Sequence, residues 1–68
     1  MPVELETEDP IASLSAKSIH DRCAAARDLS KAGKLDVIPL LVERARDDRS
    51  PAVRLATAGA AADILSRF

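Results

Sequence analysis

The sequence predicts an all-α fold of four helices arranged as antiparallel pairs. Three observations carry that reading. The apolar residues are small: thirteen of the 68 residues are Ala, against eight Leu, four Val, four Ile and one Phe, and Ala is the best helix former. Helix boundaries are written in capping residues, with a Ser or Asp before each first turn and Gly33 after the second helix. The connections left between those caps are short, which makes successive helices antiparallel neighbours.

The first helix is expected over 10–16, with Asp9 as its cap and Pro10 at the position where a missing N–H does no harm. The second is expected over 18–32. Ser18 caps it, Asp21 follows three residues later as an approximate capping box, and Gly33 ends it. Its buried stripe is read as Ile19, Cys23, Ala26 and Leu29, at helical spacing. The third is expected over 36–47, capped by Asp36 and carrying Pro39 in its first turn. Its inner residues are Val37 or Ile38, then Leu41 and Ala45.

The fourth, over 50–66, repeats the cap-then-proline logic with Ser50 and Pro51. Its segment "SPAVRLATAGAAADIL" has two apolar faces. Val53, Ala56, Ala60 and Ile64 make one; Leu55, Ala58, Ala62 and Leu65 make the other. Small residues let helix axes approach closely on more than one side. Gly59 in mid-helix costs about 1 kcal/mol against Ala, and a close backbone contact is the expected reason for it.

Composition narrows the function classes. Aromatic residues are 1% of the chain, which leaves no platform for stacking bases or caging cations. The net charge of −1 gives no global steering toward nucleic acid. The charge is uneven, because Glu4, Glu6, Glu8 and Asp9 put −4 on residues 1–10, while the remainder sets ten bases against seven acids. Residues 1–9 therefore read as an acidic arm.

Cys23 is the single cysteine and cannot form an intramolecular disulfide. It reads as a small core residue, and His20, the single histidine, as a surface residue. Tetrahedral Cys/His spacing is absent, as are a Ser-His-acid arrangement, a phosphate-cradling loop and a dinucleotide fingerprint. No catalytic residue, metal or cofactor is expected. No apolar run approaches the length of a membrane span, and a reducing, cytoplasmic setting is the default.

Shifting the chain by 32 residues aligns Ser18 with Ser50, Arg22 with Arg54, Ala24 with Ala56 and Ala26 with Ala58. The order of short helix, turn, capping Ser and Ala-rich helix occurs twice, over 10–33 and 34–68. The second unit, "LDVIPLLVERARDDRSPAVRLATAGAAADIL", resembles a HEAT-type repeat through Pro39, Leu40-Leu41, Asp47 or Asp48, Pro51, Val53-Arg54 and Ala56. Its period is nearer the short HEAT-like repeats named after phycobilisome lyases. The first unit looks like a degenerate repeat, keeping Arg22 but carrying Asp21 in place of the Val and lacking a turn Asp.

The resemblance implies an α-solenoid fragment of about two repeats, serving as a protein–protein interaction scaffold with no enzyme activity. It also implies the N-terminal part of a longer array. In the family the turn Asp and the helix-opening Arg tie one repeat to the next. Carried over, Asp47 or Asp48 accepts from turn N–H groups and from Arg54, with Arg22 in the equivalent role. Partner contacts are expected from Arg27, Lys31, Asp63 and Arg67 on the Ala-rich helices. The second apolar face, Leu55, Ala58, Ala62 and Leu65, is expected to be covered by following repeats or by a second copy in a homodimer. Two alternatives stand beside this reading: an accessory module of a lyase-type HEAT-repeat enzyme, and a nucleic-acid-binding HEAT module, which the charge balance disfavours.

Overall fold

The computed structural model describes residues 10–68. The acidic arm and the cap expected at Asp9 lie outside the described residues. Four helices form, with no strand among the described residues: α1 (Pro10–Ser13), α2 (Ile19–Ala32), α3 (Ile38–Asp47) and α4 (Pro51–Leu65).

The caps act as their residue types dictate. Ser18 Oγ accepts from the Asp21 N–H at 3.3 Å, and Ser50 Oγ accepts from the Val53 N–H at 3.3 Å. Each satisfies a backbone donor that the first helical turn leaves without a partner. Gly33 ends α2 in the left-handed region, at φ 68°, and donates its N–H to Leu29 O at 3.1 Å. That conformation strains any residue with a Cβ.

Two boundaries differ from the sequence reading. The first helix ends at Ser13, and single-turn bonds from Ser15 and Ala16 carry the chain on. The Ala16 and Lys17 carbonyls are held by the Arg22 guanidinium, which turns the chain into α2. Asp36 does not cap the third helix. It sits inside a 3₁₀ turn (Leu35–Val37), and Val37 precedes α3 with no side-chain cap. Pro39 in the first turn removes an N–H that would otherwise lack a partner, so the missing cap costs less.

Helices α3 and α4 pack as a hairpin across the short turn Asp48–Ser50, and α4 also packs against α2, which covers α1. Arg22 near the start of α2 meets Asp48 just before α4, and Ser30 near the end of α2 meets Asp63 near the end of α4. Contacts of start with start and end with end make α2 and α4 parallel neighbours. The body measures 38 × 28 × 15 Å over its Cα atoms. A thickness of 15 Å is what two layers require: axes about 10 Å apart plus a Cα radius of about 2.3 Å on either side.

Between the layers lies one apolar core of Leu14, Ala25, Ala26, Leu29, Val37, Leu41, Ala60, Ala61 and Ile64, with Ile38 and Ala56 packed on it. Val53 and Thr57 are also fully buried. Burying a side chain such as Leu41 or Ile64 contributes about 1.5–3 kcal/mol.

Two core expectations are corrected, and one buried residue is added. In α2 the buried stripe is Ala25, Ala26 and Leu29; Cys23 is half-buried and Ile19 exposed, because α2 turns its Arg22–Ala26 side to α4. Gly59 makes no close contact, since a Cβ there would meet open space. Thr57, unremarked in sequence, is buried because its hydroxyl donates to Val53 O at 2.8 Å within its own helix.

Candidate functional site

Both Ala-rich helices open with the same local device. In α4, Arg54 reaches back and donates from Nη1 to Asp48 O at 2.8 Å and Arg49 O at 3.3 Å. In α2, Arg22 donates from Nη1 to Ala16 O at 2.8 Å and Lys17 O at 2.9 Å. Acceptors, capping serine and arginine all correspond at one offset (48 − 16, 50 − 18 and 54 − 22 each give 32). The geometry follows from the helix itself, whose side chains tilt toward its N-terminus and so toward the preceding turn.

Asp48 joins the two halves. Its Oδ1 accepts from Arg22 Nη2 at 3.1 Å, and its Oδ2 lies 2.9 Å from Arg22 Nε as a close charge contact without hydrogen-bond geometry. The side chains are 2% and 14% exposed respectively, so the pair is largely shielded from water. Oδ1 also accepts from the Ser50 N–H at 2.9 Å, which shapes the turn into α4. Arg44 Nη1 stands 3.6 Å from Oδ2, while its Nη2 donates to Ser15 Oγ at 3.2 Å, linking α3 to the end of the first unit. Burial pushes the Asp48 carboxyl up, but the Ser50 N–H, the Arg22 guanidinium and the Arg44 charge together outweigh it and hold the group below its ordinary value of 3.8.

The turn carboxylate is thus Asp48; Asp47 is exposed at the end of α3. Arg54 takes backbone oxygens of its own turn, and the carboxylate goes across to Arg22. The first unit's lack of a turn Asp does not leave its arginine unpaired, because the acid comes from the second unit.

A second polar junction closes the far ends of α2 and α4. Asp63 accepts from Ser30 Oγ in a short hydrogen bond and from Arg67 Nη2 at 2.8 Å. The Ser30 hydroxyl, opposed by burial and helped by Arg67, holds the Asp63 carboxyl below its ordinary value. The Arg67 guanidinium also lies against Gly33, where a Cβ would stand 2.5 Å from Nη1. Of the four polar residues expected to meet a partner, Asp63 and Arg67 therefore bond each other within the fold, while Arg27 and Lys31 are exposed on α2. Among Arg44, Arg46, Arg49 and Arg54, whose mixture with Glu43, Asp47 and Asp48 reads in sequence as local ion pairs and turn hydrogen bonds, Arg44 pairs with Asp48 four residues on. Ser30 carries a polar contact that sequence reasoning did not single out, and no local spacing signals it.

The outer side of α4 is apolar and open. Leu55 is 76% exposed, Leu65 54% and Phe68 77%, with Ala58 and Ala62 exposed between them. The two apolar faces of α4 thus have opposite environments: Val53, Ala60 and Ile64 are buried, Ala56 half-buried, and Leu55, Ala58, Ala62 and Leu65 uncovered. No helix of the described residues is long and apolar enough to cross a membrane, and no group of three His, Cys, Asp or Glu among them is placed to hold a metal ion. Comparison with models of protein families, with curated proteins and with solved structures gives no match for this chain.

Proposed function

We propose that the chain is a helical-repeat module for protein–protein interaction, built of two HEAT-like units over 10–33 and 34–68, and that it binds through the outer side of α4. One observation carries the reading. The same cap, arginine and carbonyl arrangement recurs at a 32-residue offset, and the carboxylate of the second unit ties down the arginine of the first. In stacked-repeat proteins each unit is held by its neighbours, so a helix with two apolar faces expects a neighbour on both. Here α2 and α3 cover one side of α4, and Leu55, Ala58, Ala62 and Leu65 remain for a partner. Arg27 and Lys31, both exposed on α2, are proposed to add polar contacts with the partner.

The test is site-resolved capture in cells that make the protein. A photo-crosslinking residue at Ala58 should trap a protein partner, and the same residue at Asp28, on the exposed side of α2, should not. Leu55→Asp should abolish the Ala58 product while leaving the fold intact by circular dichroism. Equal trapping from both positions, or a product insensitive to Leu55→Asp, would refute the assignment of the binding face.

A further inference from the structure

The outer side of α4 carries a glycine that the folded chain does not need. Gly59 lies exposed in mid-helix, and a Cβ built on it would meet open space. A glycine there costs about 1 kcal/mol against Ala, and no close contact among the described residues offsets that cost. Around it runs a stripe at helical spacing: Ala52, Leu55, Ala58, Gly59, Ala62 and Leu65, all exposed. Leu55, Leu65 and Phe68 are the three most exposed large apolar residues among the described residues. Arg54 and Asp63 border the stripe on its two edges, and none of its own residues is charged.

The order of sizes along the stripe is complementary to its own reverse. When two copies of α4 run antiparallel about a midpoint between Ala58 and Gly59, residues equally far from that midpoint stand level. Leu55 then comes level with Ala62 of the other copy, and Leu65 with Ala52, so each leucine meets a small residue. Ala58 and Gly59 fall at the crossing, where the missing Cβ lets the two backbones approach. A parallel pair does the opposite. It sets Leu55 on Leu55 and Leu65 on Leu65, which wedges the helices apart and leaves voids over the small residues between. A size pattern matched by its own reverse is what a two-fold contact requires.

We infer that the open side of α4 is a docking site for a second copy of this chain, with the two α4 helices antiparallel and crossing at Gly59. This rests on the interaction-module reading above and names its partner. The contact is small. The 15 residues of α4 span about 22 Å, and one flank about 10 Å wide falls well short of the roughly 800 Å² per partner of a standard interface. The dimer therefore dissociates on dilution, and the core between the two layers belongs to the single chain.

Two features separate this pairing from other ways of covering the stripe. A head-to-tail stack sets the stripe against a different surface of the next copy and leaves another stripe open, so growth does not stop at two; two-fold pairing uses both stripes and closes. Gly59 separates fit from stickiness. Gly59→Leu adds apolar area, which strengthens any contact driven by area alone. In the antiparallel pair the same side chain stands at the crossing and forces the helices apart.

Sedimentation of the full chain from micromolar to millimolar concentration should show a reversible monomer–dimer equilibrium and nothing larger. Gly59→Leu should raise the dimer Kd by about tenfold or more. The dilute monomer of that variant should melt no lower than the parent, because Leu exceeds Gly in helix propensity. In a Cys23→Ala background, oxidation should link Leu55→Cys chains to Ala62→Cys chains, and neither variant to itself. A chain that stays monomeric to millimolar concentration, growth beyond two, tighter association of Gly59→Leu, or self-linking at either cysteine would each overturn the inference. The Ala58 crosslink keeps the two readings apart. A product of twice the chain mass supports the second copy; a product of any other mass overturns it while leaving the interaction module in place; no product overturns both.

Discussion

Replacing Asp48 with Ala should destabilise the protein more than any other single change to a charged residue. The substitution leaves Arg22, 14% exposed, without its counter-charge, and removes the acceptor of the Ser50 N–H at the entry to α4. Removing one partner of a buried ion pair costs about 3–5 kcal/mol. Arg22 keeps its bonds to the Ala16 and Lys17 carbonyls, so the low end, about 3 kcal/mol, is expected. Small proteins hold about 0.05–0.15 kcal/mol per residue, so that loss is about three tenths or more of the total for 68 residues. At about 4–8 °C per kcal/mol for a domain of this size, Tm should fall by about 12–24 °C. Thermal melts followed by circular dichroism measure this directly. Asp48→Asn should fall less, because it keeps an oxygen for Ser50. Asp47→Ala, at the neighbouring exposed acid, should change stability by no more than about 0.5 kcal/mol. A double-mutant cycle with Arg22→Gln should return a coupling of about 0.5–3 kcal/mol. If Asp48→Ala melts no lower than Asp47→Ala, the carboxylate does not join the two halves and the reasoning fails.

The remaining expectations concern pH, glycine and capping. The Asp48 and Asp63 carboxyls are held below their ordinary value of 3.8 in the folded protein, so their contribution is fully present above that pH and is lost as pH falls through the folded values. Tm should be level from neutral pH to about pH 5 and drop below about pH 4, with a shallower drop in Asp48→Asn; an identical acid profile in that variant would exclude Asp48 as a cause. Gly59→Ala places a methyl in open space and should stabilise the chain by about 1 kcal/mol; a lower Tm would mean the site is not open. Gly33→Ala forces a Cβ into the left-handed region beside Arg67 and should cost about 1–2 kcal/mol, read in the same melts. Ser50→Ala removes the acceptor of the Val53 N–H and should cost about 1 kcal/mol; no loss would show that Asp48 alone holds the turn.

By itself the sequence determined which segments are helical and where most of them end. Ser18, Gly33, Ser50 and Pro51 act within a few residues of themselves, so their effect is written locally. The two apolar faces of α4 were legible for the same reason, since they depend only on helical spacing. What required the tertiary structure was how each helix is rotated against its neighbours and which charges meet. The direction in which α2 faces α4 decided that Ala25 is buried while Cys23 is only half-buried and Ile19 exposed. Gly59 could not be read as open from a helix that is small-residued all round, because openness depends on which neighbours are present. The partner of Asp48 was beyond local reasoning for a physical reason. Arg54 and Arg44 are nearer in sequence, but the tilt of α4 side chains sends Arg54 to the turn carbonyls, and the parallel packing of α2 brings Arg22 to the carboxylate from 26 residues away. Local sequence sets the caps and the periodicity; the packing of α2 beside α4 sets the pairing of Arg22 with Asp48.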